Sequence, residues 1–212
     1  MRNPWRRQSA ATEQRVGTWP GYPMPPSMLS GGSAAGVDVS LESALRNAAV
    51  WACQRVLVAT ICTLPVDVVR YKGEARLKVD TEPPIVKRPS GLVSQRGWVA
   101  QVARSAVMSG NVYGKVVAVD SLMRAVQIET INPSAVEWRQ VGAELVPHVD
   151  NKPQTLWPLG DFWHVPLSQF LLPGSPVAMS PVDFGKTSIG TGIAAEDFGG
   201  QFFADGLHPN KV

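Results

Sequence analysis

The chain has 212 residues, 44% of them hydrophobic, and its 20 basic and 17 acidic residues leave a net charge of +3. That length holds one domain with a sizeable core, or one and a half, and so small a charge excess gives no argument for a protein that coats nucleic acid generally. Nineteen glycines and eighteen prolines interrupt the chain too often for a helical bundle and favour short, mixed elements.

Residues 1 to about 36 are expected to form a tail. Pro4, Pro20, Pro23, Pro25 and Pro26, then Gly31-Gly32, break up the segment, and no apolar periodicity gives it a surface to bury. Arg2, Arg6, Arg7 and Arg15 interleave with Trp5 and Trp19, a pattern that can hold nucleic acid. A solvated tail or a strap onto a neighbouring copy is the plainer expectation. No apolar run follows the basic residues, so a secretory signal is not expected.

Ser40 fits an N-cap, and Leu41, Ala44, Leu45, Ala48 and Ala52 follow at helical spacing. Beyond Asn47 the opposite face gains Val50, Leu57 and Ile61. A helix apolar all round is buried, in a core or against a partner, so Ala52 and Val56 are expected to be fully buried. Cys53 and Cys62 lie nine residues apart in this helix, on roughly opposite faces, and cannot pair with each other. Reduced core thiols are expected there. The apolar stretch 48–64 is short for a membrane span, with Gln54 and Arg55 at its centre.

The helix should stop at Leu64-Pro65, because proline cannot continue it and makes the preceding residue extended. The alternating run from Val66 to Tyr71 then predicts a strand, Lys72-Gly73 a turn, and 75–79 a weak second strand. Pro83-Pro84 and Pro89-Ser90-Gly91 bracket a loop. A second helix is predicted over 94–109, capped by Ser94, with Trp98, Val102 and Ala106 on one face and Gly110 as its stop.

Strands follow at 112–119 and 125–131, a turn at Asn132-Pro133, and shorter strands near 135–139, 144–149 and 161–165. A Pro- and Gly-rich loop covers 166–179. Ser180-Pro181 reads as an N-cap with proline at the first helical position, and a helix should run from there to about Ala204. Phe184, Thr191, Ala195, Phe198 and Phe202 share one stripe. Gly190, Gly192, Gly199 and Gly200 cost roughly 1 kcal/mol each relative to alanine in a helix, which implies close packing against another helix, or a bend.

Four patterns that could carry chemistry fall short. Gly185-Lys186-Thr187-Ser188 resembles the end of a phosphate-binding loop, but Ser180 stands where its first glycine belongs, and no apolar strand leads in. Gly190-x-Gly192-x-x-Ala195 matches a loose dinucleotide fingerprint with the same defect. His148, His164 and His208 are scattered without a ligand partner at metal spacing. His164, within Phe162-Trp163-His164-Val165, is expected to be a strand histidine bonded to a neighbour. Glu196-Asp197 are adjacent and point about 100° apart. No catalytic, cofactor or metal site is expected.

Three blocks in order carry a family resemblance. The first is Ala44 to Tyr71, an early helix ending in Leu-Pro before a strand. Next come Pro89-Ser90, Trp98 and Gly110-Asn111-Val112-Tyr113. The third runs from Phe162-Trp163-His164-Val165 through Gly174-Ser175-Pro176 and Ser180-Pro181 to Phe202-Phe203-Ala204-Asp205-Gly206-Leu207-His208-Pro209. Together they resemble the opening of the portal proteins of tailed bacteriophages, in the HK97-like group. Two departures stand out: the Gly-x-Ser-Pro feature is split across a longer loop, and the chain stops just after Pro209.

The resemblance implies an α+β fold: a wing domain of helices packed on small mixed or antiparallel sheets, followed by a long stem-like helix. It divides the chain into a tail over 1–36, a wing body over 37–172, and a loop and stem-like helix over 173–212. The clip, second stem helix and crown would lie beyond 212. It implies a structural, non-enzymatic subunit of a ring, expected to be dodecameric, at one capsid vertex in the virion, assembled in the host cytoplasm. Double-stranded DNA would pass through it non-specifically during packaging and ejection. The terminase large subunit, the major capsid protein and a head-tail connector (adaptor) protein would dock on it, without cofactor or membrane. In that frame Gly192 and Gly199, seven residues apart on one helix face, are candidate contacts between helices or subunits. Lys186 and Glu196 are candidates to face the channel or solvent. Another head-completion protein, or a small nucleotide-binding enzyme built on Gly185-Lys186, is the rival reading.

Overall fold

In the computed structural model, residues 36–141, 144–171 and 173–204 are described, and their first helix opens on a capping box. The Ser43 N–H donates to Ser40 Oγ at 3.1 Å, and the Ser40 N–H donates to Ser43 Oγ at 2.7 Å. Two orphan donors are satisfied reciprocally, and α1 (Leu41–Ala44) begins. It lasts one turn. Asn47 accepts from the Ala49 and Val50 N–H groups and caps a separate helix, α2 (Ala48–Thr63). An asparagine side chain competes with the helical backbone and favours such a cap, so one predicted helix becomes two. α2 stops where expected, with Leu64 extended (φ −68, ψ 133) ahead of Pro65.

An antiparallel hairpin follows, β1 (Val69–Lys72) and β2 (Ala75–Lys78). Gly73 turns it at φ 61. A one-turn helix, α3 (Pro84–Lys87), occupies the expected loop. α4 (Gln95–Ser109) forms as predicted, with Ser94 accepting from the Gly97 N–H and Gly110 left-handed at φ 72.

The body of the molecule is two small antiparallel sheets. β3 (Asn111–Val119) is the centre of one, between β4 (Ala125–Ile131) and β8 (Phe162–Pro166). The other joins β5 (Val136–Val141), β6 (Glu144–Val149) and a short β7 (Lys152–Pro153). Tyr113 faces Ile131 on one side and His164 on the other. Val112, Tyr113, Val116, Ile128 and Phe162 are buried. α4 closes over β4, and Trp98 Nε1 donates to the Ile128 carbonyl at 2.7 Å. Gly114 admits no side chain: a Cβ there would sit 2.7 Å from Ile128 Cγ2 and 3.1 Å from Trp163 Cε3.

A second cluster joins the N- and C-terminal parts. Val39, Ala44, Met108 and Val182 are buried together, with Leu41, Leu45, Val50 and Ile189 against them. Val182 belongs to α5 (Pro181–Phe184), where Ser180 caps and Pro181 takes the first position. α6 (Lys186–Ala204) then runs to the end of the described residues. The predicted final helix is thus broken at Gly185 (φ −85, ψ 4), where a glycine weakens helical propensity.

The α+β class of helices on small antiparallel sheets is as the sequence implied. Burial along α2 is not. Only Gln54 and Val58 are buried in it; Ala52 is exposed, and Val56 is 58% exposed. Cys53 is exposed and Cys62 half-buried, both free, so neither is a core thiol. The reason is geometric: α2 packs on α4 through one face, and its remaining apolar faces have no cover among the described residues. The expected tail over 1–36, apart from Gly36, and His208 lie outside those residues. Among the described residues no helix is long and apolar enough to cross a membrane.

Candidate functional site

The residues of the second and third resemblance blocks meet at one buried junction. Gly110 ends α4 in a left-handed conformation, and a Cβ on it would fall 2.5 Å from the Met179 carbonyl oxygen. Both facts demand glycine. Asn111, buried beside it, spends its whole amide. Nδ2 donates to the carbonyls of Ala178 at 2.8 Å and Ser109 at 3.0 Å. Oδ1 accepts from the Ala178 N–H at 2.9 Å and faces His164 Nε2 at 3.1 Å. An oxygen at that position assigns the imidazole proton to Nε2. Tyr113 stacks on His164 at 4.9 Å and accepts from Trp138 Nε1 at 3.1 Å. Ser180 Oγ donates to the Met108 carbonyl at 3.1 Å while accepting from the Asp183 N–H at 3.2 Å.

This junction holds position; its groups are poorly placed for proton transfer at neutral pH. Burial lowers His164 to about 4, and raises Tyr113 to about 12 against the opposing Trp138 hydrogen bond. Both stay neutral near pH 7. What the network does is fix the 173–180 loop to the start of β3 and so set where α5 and α6 leave the body. A matching clamp holds the other side of the sheet. Ser90 Oγ donates to Glu129 Oε2 at 2.7 Å, and the Gly91 N–H donates to Glu129 Oε1 at 2.8 Å.

Among the described residues, two apolar surfaces beside this body are left uncovered. One is a groove of about 460 Å³ between α2 and α4, floored by Trp51, Val58, Ala59 and Ala100 and edged by Arg55, Arg96 and Arg104. The other is the distal half of α6. Phe198 and Phe203 are 71% and 74% exposed, and Phe198 stacks on Phe202 at 6.3 Å. Surfaces of this kind mark contact with another macromolecule.

The four candidate residues on α6 sit in different surroundings. A Cβ on Gly192 would be 2.5 Å from Asn47 Nδ2, so this glycine lets α6 lie against the α2 cap; Gly199 has nothing within 4 Å. Lys186 is half-buried, its Nζ 2.8 Å from Asp183 Oδ1, and Glu196 is exposed. Gly185-Lys186 follows α5, without the strand a phosphate loop requires. No cluster that could hold a metal ion occurs among the described residues. Composition pointed to the apolar surfaces, but the arginine edge was missed, because Arg55, Arg96 and Arg104 come from two helices with no common motif.

A family model described as phage portal protein matches residues 48–212. The probable portal protein of Streptomyces phage phiC31 is 28% identical over 209 residues, 90% of this chain and 44% of that protein. An HK97 family phage portal protein from Corynebacterium diphtheriae shares the fold with a TM-score of 0.56 at 12% identity, covering 86% of this chain and 54% of that one. A chain from the neck of an empty GTA particle gives 0.54 at 11% identity, over 81% and 48%. One from the virion of a native gene transfer agent gives 0.53 at 11%, over 85% and 49%. The chain therefore spans about half the length of the proteins it resembles.

Proposed function

The chain belongs to the phage portal protein family, and from that premise we propose that it is a structural subunit of the ring at one capsid vertex. The observation that carries the reading is α2: a largely apolar helix with one face packed and, among the described residues, Trp51, Val56, Leu57 and Ile61 left exposed. Such a helix needs a partner to be stable in water. A closed ring of identical subunits provides one at every position.

In this reading residues 37–172 form the wing, and 173–212 the loop and stem-like helix, with a ring of twelve as the expected assembly. Double-stranded DNA passes through without being read. Tight phosphate contacts would hold a moving duplex, and the net charge of +3 is small enough to avoid them. The terminase large subunit supplies the ATP chemistry. The major capsid protein and the adaptor of the head-tail junction bind the outer surfaces. The subunit itself catalyses nothing, in keeping with Lys186 being tied to Asp183.

Packaging in a purified system tests this. Proheads assembled with the protein, given terminase, ATP and duplex DNA, should protect that DNA from nuclease; proheads lacking it should not. Equal protection by both would contradict the reading. ATP hydrolysis by the isolated protein, abolished in Lys186→Ala, would favour the nucleotide-binding rival.

A further inference from the structure

We propose that the α2–α4 groove of one copy receives the distal half of α6, residues 196–204, from a neighbouring copy. The proposal rests on the ring-subunit reading and names the two surfaces that would meet.

Charge and shape select this occupant. The groove has an apolar floor and three arginines, and no acidic residue among the described ones lines it. None of the three has an ion-pair partner among the described residues. Its ligand should be acidic and aromatic. Beyond Lys186, α6 carries no base, and it offers the exposed Glu196 together with the exposed Phe198 and Phe203. Arginine and aromatic anchors seated in desolvated pockets recur at interface hot spots, and an arginine pairs strongly with a carboxylate.

The occupant is not the chain's own α6. That helix is held near the start of α2, where Asp197 pairs with Arg46 at 3.5 Å and Gly192 lies against Asn47. Its phenylalanines stay exposed in the single chain. Nor do residues 1–35 suit the groove, since Arg2, Arg6, Arg7 and Arg15 outnumber their one acid, Glu13. Groove and helix are different patches of one chain, so their contact is heterologous. Repeated around an axis it closes into a ring.

Cross-linking in trans tests the pairing. One protein carries Cys53→Ser and keeps Cys62, which lines the groove. A second carries Cys53→Ser, Cys62→Ser and Ala195→Cys, placing one thiol on the exposed stripe of α6. Mixed and treated with a short bis-maleimide, they should give a cross-linked pair that neither protein gives alone. Arg55→Glu/Arg104→Glu and Phe198→Ser, all at exposed positions, should each weaken self-association at least tenfold with the fold intact by circular dichroism. Rings that assemble with no mixed cross-link and unchanged association in both variants would overturn this pairing and leave the ring reading standing. A parent protein that stays monomeric at high concentration would overturn both.

Discussion

Asn111 concentrates the most consequence in one side chain. Four polar groups from three parts of the chain meet its amide within 3.1 Å. Asn111→Ala strands them in a buried site, and unmade buried hydrogen bonds cost about 1–3 kcal/mol each. Partial relaxation leaves an expected loss of about 3 kcal/mol, read from urea unfolding. His164, on the same network, gives the junction a pH signature. The unfolded chain takes up this proton near pH 6.5 and the folded chain only near 4. Below 6.5 the unfolded state binds more protons, so stability falls as pH drops from 6.5 to 4 and levels off beneath. The slope from this one group is at most about 1.4 kcal/mol per pH unit. His164→Gln should remove that component, seen as a flatter change in urea midpoint between pH 7 and 4.5, while the slopes from carboxylates remain. The sequence identified His164 as a bonded strand histidine. It did not identify the partner, because Asn111 lies 53 residues away and only the β3–β8 register brings the two together.

The elements were legible wherever a local rule fixed them. Ser94 and Gly110 bound α4, Ser180-Pro181 starts α5, and Leu64-Pro65 ends α2. The break at Asn47 was not, since an asparagine inside an apolar pattern can cap a helix or ride through one. Nor was the burial along α2. A helix apolar on all faces carries no periodic sign of which face the core takes. Two neighbouring substitutions separate the alternatives. Val58, buried at 7% exposure, faces α4, and Val58→Asp puts an unpaired charge in an apolar site, costing about 4 kcal/mol or more. Val56→Asp, on a bare face, should stay within about 0.5 kcal/mol of the parent in monomer stability and lower self-association, by urea unfolding and sedimentation respectively. On α6 the glycines divide the same way. Gly192→Ala pushes into the Asn47 amide, and loosening that cap should cost about 1 kcal/mol. Gly199→Ala meets nothing and should gain up to about 1 kcal/mol of helical propensity. The sequence treated these two glycines as equivalent because they share a helix face; the difference comes from where α6 runs out beyond the body.

At the scale of the molecule, the single chain leaves a bare helix, an arginine-edged groove and a phenylalanine-studded helix end on its surface. None of these serves a monomer, and the proposed ring of identical subunits covers all three. The ordered motifs carried the family, because each encodes a local necessity: a left-handed glycine, a spent amide, a proline stop. Subunit contacts are not legible in that way, since complementarity between copies is written in residues far apart in the chain. The central claim is assembly into a ring, and negative-stain electron microscopy of the purified protein across a concentration series tests it most directly. The account predicts closed, rotationally symmetric rings with a central channel that become more frequent as concentration rises. A uniform field of monomers at concentrations of tens of micromolar, or open filaments without closure, would contradict it.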